Sequence, residues 1–281
     1  MNEVAAQLRQ QLPGMSEQDA ERFAASLLKP GPYTALQARE DLPRGLLTAG
    51  ICPPGQVYPG VPHRYQRYQS AGSHPAYALL VFLDGERYLG PEANAAAVLD
   101  QLGLPCVALF VEPGAEGPGL PIYGGPGNRS IEYDSPGGDY ARFLIEELIP
   151  HALEGIALGP DRAIVGLSSG GHCALNAAWE RPDFFNLVAS HCGSFVNIRG
   201  GHGLASQIRR DGTRTLNKVL LQTGEHDLDI VFGHWPSANR DMAAALSYRG
   251  IPHRLVVGEG GHSLAHGGAL LPATLRWLFE P

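Results

Sequence analysis

Ser168 stands in a Gly-Leu-Ser-Ser-Gly run, so that it has glycine two residues before it and two residues after it. The apolar residues Ala163 to Leu167 predict a buried strand before it, and Gly171 to Glu180 predict a helix after it. A serine at such a tight strand-to-helix turn projects its hydroxyl above the sheet, and only glycine fits at both second neighbours. The next residue, Ser169, lacks that pair of glycines. The pattern therefore predicts Ser168 as a nucleophile.

Carboxylates after a later strand are candidates for the acid of a catalytic triad. A serine hydroxyl attacks only when a base takes its proton and a third group orients that base. The predicted strand Lys218 to Gln222 leads into a loop that contains Glu225, Asp227 and Asp229. Asp227 is favoured over Asp229 because it lies closer to the strand, and Asp229 remains the alternative. Glu225 is less favoured because aspartate is the commoner orienting residue.

His262 is the candidate base. It follows the last predicted strand, His253 to Val257, behind a pair of glycines. The carboxyl ends of parallel strands meet at one edge of an α/β sheet, where such sheets bind their ligands. Ser168, Asp227 and His262 are therefore expected at the same edge, with His266 as the alternative base.

Further motifs accompany these three residues. They are Leu83-Asp84-Gly85 at the end of a strand, Arg129-x-x-Glu132-Tyr133, Asp139-Tyr140-x-x-Phe143-Leu144-x-x-Glu147-Leu148-Ile149-Pro150, Gly166-x-Ser168-x-Gly170-Gly171, Gly224-x-x-Asp227 and Gly260-Gly261-His262. With these motifs, from about Tyr58 to the C-terminus, the chain resembles the putative esterase family of α/β-hydrolases, which includes esterase D, the feruloyl esterases, the enterochelin esterases and the mycolyl transferases. The resemblance implies an α/β-hydrolase fold and a carboxylic ester hydrolase with a Ser-His-Asp triad.

One branch of this family is particularly similar. The segments Asn239 to Leu246 and Gly260 to Leu278 resemble the enterochelin-esterase-like branch. The residues before Tyr58 are too few for the separate N-terminal domain of enterochelin esterases, so hydrolysis of a siderophore trilactone is kept as an alternative and not as the preferred activity.

The resemblance also implies an oxyanion hole built from two backbone N–H groups. One belongs to Ser169, directly after the nucleophile, and the other to Glu86, which follows Asp84-Gly85 at the end of the strand Ala78 to Leu83. Because both donors are main-chain groups, the side chains of Ser169 and Glu86 need no catalytic role. By their local sequence alone, Asp84-Gly85 would indicate a simple turn.

Strand-like and helix-like segments alternate along the chain, which is typical of an α/β fold with a mostly parallel central sheet and helices on both faces. The predicted strands are Tyr65 to Gln69, Ala78 to Leu83, Cys106 to Val111, Ala163 to Leu167, Leu187 to His191, Lys218 to Gln222 and His253 to Val257. The predicted helices are Glu92 to Leu102, Asp139 to Leu153, Gly171 to Glu180, Ala238 to Tyr248 and Gly267 to Phe279.

Residues 1–40 differ from the rest and are predicted to form an N-terminal helical extension to a catalytic domain of residues 41–281. Ser16-x-x-Asp19 predicts a capping box at the start of a helix, and Phe23, Leu27 and Leu28 form an apolar face behind it. That face is expected to dock on the sheet or to cover its edge.

The composition agrees with a single enzyme domain. The 281 residues are 44% hydrophobic and 17% charged, which suits a sheet covered on both faces. A net charge of −7 argues against nucleic acid and membrane partners, and no apolar run approaches the length of a membrane span. The N-terminus lacks a basic, apolar signal sequence, so a cytoplasmic location is expected. The four cysteines show no framework spacing and are expected to be free thiols.

Long irregular stretches are predicted to build the substrate pocket. Glu112 to Gly138 is rich in glycine and proline, follows a strand on the catalytic side and carries Tyr123 and Arg129. Arg129 is a candidate for binding a polar substrate group, and a pair with Glu132 that pins the loop is an equal alternative. Trp235, shortly after the candidate acid, is the aromatic residue expected near the acyl group. These residues favour a bulky or aromatic ester as substrate.

Other chemistries fit the sequence less well. His262 and His266 have the spacing of a zinc helix but lack the glutamate of His-Glu-x-x-His, so no metal and no cofactor are predicted. The complete set of Ser168, Asp227 and His262 argues against a non-catalytic binding module. An acyltransferase is a close alternative, because the same acyl-enzyme reacts with water or with a hydroxyl group. The sequence thus predicts a serine carboxylesterase that hydrolyses a small-molecule ester through an acyl-enzyme on Ser168.

Overall fold

A large central sheet organises the computed structural model, which describes residues 3–280. In chain order the strands are β1 (Leu46–Cys52), β2 (His63–Gln69), β3 (Tyr77–Leu83), β4 (Cys106–Val111), β5 (Leu158–Leu167), β6 (Leu187–His191), β7 (Lys218–Gly224), β8 (Asp229–Ile230), β9 (Gly233–His234) and β10 (His253–Gly258). Strands β8 and β9 form a small hairpin, and the other eight form one sheet in the order β1-β2-β4-β3-β5-β6-β7-β10.

The sheet is mostly parallel. Only the pairs β1–β2 and β2–β4 are antiparallel, and every pair from β4 to β10 runs parallel. The carboxyl ends of β5, β7 and β10 therefore meet at one edge. Each of the seven predicted strands is present, with small shifts at the ends, and the α/β fold class is confirmed.

Helices surround the sheet, and all but the first two pack on its two faces. They are α1 (Glu3–Gln11), α2 (Glu17–Leu27), α3 (Gly85–Leu89), α4 (Ala95–Leu102), α5 (Arg129–Asp134), α6 (Asp139–Arg142), α7 (Ile149–Ala152), α8 (Ser169–Glu180), α9 (Leu204–Arg210), α10 (Trp235–Tyr248) and α11 (Leu264–Phe279). A π-helical segment, Phe143–Leu148, joins α6 to α7. Among residues 3–280, the structure has no helix with the length and apolar character needed to span a bilayer.

Two apolar cores flank the sheet because its central strands are buried on both sides. Strand β3 (Tyr-Ala-Leu-Leu-Val-Phe-Leu) and strand β4 (Cys-Val-Ala-Leu-Phe-Val) are nearly continuous apolar runs, as parallel strands under two helical layers require. Alternate side chains pack against α5 to α10 on one face and against α3, α4 and α11 on the other. The cysteines at 52, 106, 173 and 192 are free and buried in these cores, as predicted.

The sequence patterns missed several elements. Strand β1 lies at the exposed edge of the sheet, with Leu46 63% and Ile51 61% accessible, and therefore carries no alternation of apolar and polar residues. Helix α5 lies inside the stretch predicted to be irregular, Glu112 to Gly138, and helix α9 lies in a segment for which no helix was predicted. Both helices are short, and their glycine-rich flanks conceal their periodicity.

The predicted N-terminal helix signal corresponds to the start of α2. Ser16 is the N-cap, and its hydroxyl oxygen accepts a hydrogen bond of 3.0 Å from the backbone N–H of Asp19. The Asp19 carboxylate accepts a hydrogen bond from the Tyr123 hydroxyl. Helices α1 and α2 pack, through an apolar cluster that includes Phe23, Tyr123 and Trp235, on the loops at the carboxyl edge of the sheet.

Candidate active site

Ser168 occupies the turn between β5 and α8 in a backbone conformation that side chains rarely adopt, with φ of 59° and ψ of −122°. The turn is so tight that a Cβ on Gly166 would lie 2.1 Å from the backbone oxygen of Gly170. Glycine at position 166 is therefore required, for the steric reason that the sequence pattern indicated. The serine is only partly buried, so its hydroxyl is accessible from the carboxyl edge of the sheet.

Three side chains that are far apart in sequence form a continuous hydrogen-bonded chain at this edge. His262 Nε2 lies 2.9 Å from Ser168 Oγ, and His262 Nδ1 lies 2.6 Å from Asp227 Oδ1. Because an ionised carboxylate can only accept, Nδ1 carries the proton, and Nε2 is left to accept from the serine hydroxyl. We call this set, Ser168, His262 and Asp227, the candidate triad.

Asp227 is held in its ionised form. Burial alone raises the pKa of this carboxyl, but the hydrogen-bonded imidazole of His262, the Thr223 hydroxyl and the Leu228 N–H together bring the pKa below its usual value. Thr223 Oγ1 donates to Asp227 Oδ2 at 2.7 Å, and Leu228 N donates to Asp227 Oδ1 at 2.7 Å. These bonds fix the plane of the carboxylate that faces His262.

The alternative acid and base lie in other surroundings. Asp229 is exposed and pairs with Arg22 at 2.5 Å. His266 Nδ1 lies 3.1 Å from the amide nitrogen of Gln222, and its ring stacks on Tyr33 with centroids 3.9 Å apart. The structure therefore brings Asp227 and His262 to Ser168, while Asp229 and His266 have other partners.

Ser194 is a polar neighbour of the candidate nucleophile that sequence reasoning missed. Its hydroxyl lies 3.2 Å from Ser168 Oγ and accepts a hydrogen bond of 3.1 Å from Trp235 Nε1. The Trp235 ring also meets the His262 ring edge-on, with centroids 5.9 Å apart. Ser194 comes shortly after β6, so its place beyond the carboxyl end of a strand is the signal that could have identified it.

The two predicted oxyanion donors lie at the starts of helices. The Ser169 N–H belongs to the first residue of α8, where backbone donors have no partner inside the helix. The Glu86 N–H, in the first turn of α3, donates a hydrogen bond of 2.6 Å to Glu112 Oε1. Burial raises the pKa of this Glu112 carboxyl. The second donor is thus engaged by a side chain of the protein itself.

Arg129 and Tyr123, which were predicted to contact substrate, are both engaged inside the protein. Arg129 donates two hydrogen bonds to the Asp84 carboxylate, at 2.7 and 2.6 Å, and does not pair with Glu132. Tyr123 donates to Asp19 at 2.7 Å, and its ring packs against Phe232. A substrate contact by either side chain stays a prediction.

Cys192 could complete a metal-binding group with the candidate triad, because its Sγ lies within 4.8 Å of ligand atoms of Asp227 and His262. Burial raises the pKa of the Cys192 thiol well above its usual value, and its Sγ lies within hydrogen-bonding distance of the Gln222 side chain and the Ser263 oxygen. His262 Nδ1 is already bonded to Asp227. The three atoms therefore fit a hydrogen-bonded site better than a metal site.

Comparison with solved structures places this geometry on a known fold. A ferulic acid esterase superposes with a TM-score of 0.64 at 17% identity, over 84% of this chain and 98% of that one. The S-formylglutathione hydrolase of Agrobacterium tumefaciens superposes with a TM-score of 0.63 at 16% identity, over 87% of this chain and 98% of that one. At such identities the similarity shows the α/β-hydrolase fold.

An enterochelin esterase from Shigella flexneri is also similar, with a TM-score of 0.67 at 22% identity over 89% of this chain. The match spans only 62% of that longer esterase. A comparison with curated protein sequences finds no match.

The family itself is shown by the sequence. The sequence model of the family described as "Putative esterase" matches residues 61–278, which include the whole candidate triad. The chain therefore belongs to the putative esterase family of α/β-hydrolases and is a carboxylic ester hydrolase.

Proposed function

We propose that the protein is a serine carboxylesterase that forms an acyl-enzyme on Ser168. The observation that carries this proposal is the hydrogen-bonded chain from Ser168 Oγ through His262 to Asp227. In the first step, Ser168 Oγ attacks the ester carbonyl carbon while His262 Nε2 takes the serine proton. The C–O bond to the alcohol then breaks, and His262 passes that proton to the leaving alkoxide. Water, deprotonated by His262, attacks the acyl carbonyl carbon, the bond from that carbon to Ser168 Oγ breaks, and His262 returns the proton to Oγ as the acid leaves.

Asp227 and the backbone donors support both steps. The Asp227 carboxylate keeps the proton of the imidazole on Nδ1 and stabilises the imidazolium ion that forms after each proton transfer. The Ser169 and Glu86 N–H groups would stabilise the negative charge that develops on the carbonyl oxygen. In this structure the Glu86 N–H donates a hydrogen bond to the Glu112 carboxylate. That bond must break before the N–H can donate to the carbonyl oxygen of the substrate.

A bulky or aromatic small-molecule ester is the proposed substrate. Trp235 lies against His262 and, through Ser194, close to Ser168, so its indole stands within the immediate surroundings of the nucleophile. Phe23 of α2 contacts the His262 ring edge-on from the apolar cluster that also contains Trp235. Aromatic side chains on this side of the nucleophile favour an apolar acyl or alcohol group.

Acyl transfer to a hydroxyl acceptor is the second candidate reaction, because it proceeds through the same acyl-enzyme. The siderophore trilactone remains a candidate ester, because a similar solved structure is an enterochelin esterase. Assays with an added sugar or alcohol, and with a macrolactone, separate these activities. Acyl transfer faster than hydrolysis would assign the protein as an acyltransferase.

Covalent labelling tests the proposed nucleophile directly. We expect a fluorophosphonate to add to one residue, Ser168, and to abolish hydrolysis of p-nitrophenyl acetate in proportion to the labelling. Peptide mass spectrometry locates the adduct. EDTA should leave the rate unchanged. Labelling at another serine, or a loss with EDTA that zinc restores, would contradict the serine mechanism.

The proposed substrate class predicts a selective effect of Trp235. We expect Trp235→Ala to lower kcat/KM for a bulky aryl ester on the order of 10-fold to 100-fold more than for an acetyl ester, because the buried indole supports the side of the pocket that only a large group would contact. The matched control is Trp277→Ala. Trp277 lies on α11, where Arg254 of β10 packs over its ring, away from the candidate triad. Equal losses for both esters would mean that Trp235 only supports the loops.

A further inference from the structure

Helix α2 lies directly over the two loops that carry the acid and the base of the candidate triad. Its residues Ala20 and Ala24 are buried, and Phe23 contacts the His262 ring with centroids 5.9 Å apart. Arg22 of the same helix pairs with Asp229, just beyond the acid loop. The helix therefore touches both loops.

Ser26, near the end of α2, joins these loops through one hydroxyl group. Its Oγ donates a hydrogen bond of 2.7 Å to the backbone oxygen of His226, the residue before Asp227. The same Oγ accepts a hydrogen bond of 2.9 Å from the backbone N–H of His262. Ser26 is 4% exposed, so water cannot readily replace either bond.

The chain after Ser26 continues along the histidine loop at backbone distance. The N–H of Gly261 donates to the backbone oxygen of Lys29 at 2.5 Å. A Cβ on Gly261 would lie 2.0 Å from the backbone oxygen of Ser26, so this contact requires glycine. These main-chain contacts hold the end of α2 against the histidine loop, so that Ser26 Oγ stays within reach of both loops.

We propose that Ser26 is a positioning residue of the esterase, which sets the relative placement of Asp227 and His262 by bonding to the main chain of both loops. The proposal rests on the proposed roles of those two residues. The contact of 2.6 Å between His262 Nδ1 and Asp227 Oδ1 joins side chains on the loops that follow the neighbouring strands β10 and β7, so it depends on the placement of both loops. Loss of the Ser26 hydroxyl would leave the buried N–H of His262 without its acceptor. The loops would stay joined by the bond of 3.1 Å from the His226 N–H to the Gly260 oxygen, but the main chain at His262 would lose the bond that sets its position.

The test is Ser26→Ala, compared with Ser16→Ala in the same helix. Ser16 caps α2 through the Asp19 N–H, so its loss weakens the helix but leaves both hydroxyl bonds of Ser26 intact. We expect Ser26→Ala to lower kcat for p-nitrophenyl acetate about 10-fold to 100-fold with KM within about two-fold of wild type, because misplaced groups slow the chemical step. Ser16→Ala should retain kcat below its melting temperature.

A second readout separates positioning from stability. The rate of fluorophosphonate labelling at Ser168 should fall in Ser26→Ala by a factor similar to kcat, while thermal melting shows both variants folded at the assay temperature. Full kcat and full labelling rate in Ser26→Ala would overturn the proposal, and so would an equal loss of kcat in Ser16→Ala. Absence of labelling in the wild-type protein would instead overturn the serine mechanism, so the two failures are distinguishable.

Discussion

Replacement of Ser168 by alanine is expected to lower kcat for ester hydrolysis by a factor on the order of 10⁶, with the fold preserved. The variant removes the oxygen that we propose forms the acyl-enzyme, and neither His262 nor the proposed oxyanion donors can substitute for it. Because Ser168 is partly exposed and its φ of 59° is strained for any side chain, exchange of serine for alanine leaves the turn no more strained than before. Steady-state kinetics with p-nitrophenyl acetate measure the loss.

Ser169→Ala is the matched control for this variant. Ser169 lies next to the nucleophile and is proposed to act only through its backbone N–H, which alanine retains. The control should therefore keep kcat within about ten-fold of the wild-type value. An active Ser168→Ala enzyme, or an inactive Ser169→Ala enzyme beside it, would refute the assignment of the nucleophile.

Asp227→Asn is expected to lower kcat by a factor on the order of 10⁴. An asparagine amide can donate to His262 Nδ1, which stabilises the tautomer with its proton on Nε2, and that tautomer cannot accept the serine proton. The lowered pKa of Asp227 means that the wild-type carboxylate stays ionised throughout the neutral range. The wild-type carboxylate is therefore available to accept from His262 Nδ1 at neutral pH, and steady-state kinetics of both enzymes at one neutral pH measure the loss.

Asp229→Asn gives the matched control. Asp229 is exposed and pairs with Arg22, so its neutralisation removes a surface ion pair worth about 1 kcal/mol or less. We expect a change in kcat of less than about ten-fold. A larger loss of kcat in Asp229→Asn than in Asp227→Asn would instead identify Asp229 as the acid that orients His262.

The glycine pattern around Ser168 could be interpreted from the sequence because its cause is local. The contact between Gly166 and the Gly170 backbone spans four residues, so the pattern of a tight turn appears directly in the chain. The same holds for β3 and β4, whose uninterrupted apolar runs indicate burial on both faces. Asp227 and His262 were predicted as acid and base because each follows a predicted strand, and the structure places both side chains beside Ser168.

Contacts between residues that are far apart in the sequence leave no such pattern in the amino-acid sequence. Ser26 and Ser194 are single serines among many, and only the packing of α2 and β6 brings them to the site. Strand β1 was missed because an exposed edge strand buries little and needs no alternation. The bond of Glu86 N–H to Glu112 joins the ends of β3 and β4, whose register the sequence does not reveal.

The bond between Ser26 and the His262 N–H also affects how the enzyme folds, because it closes a loop of 236 residues. Contacts of such long range are costly in chain entropy and form after the local turns and helices of the chain. During refolding from denaturant, the circular dichroism signal of the helices should therefore recover before ester turnover. Recovery of turnover then reports formation of the complete native structure, whereas the circular dichroism signal reports only formation of the helices and the sheet.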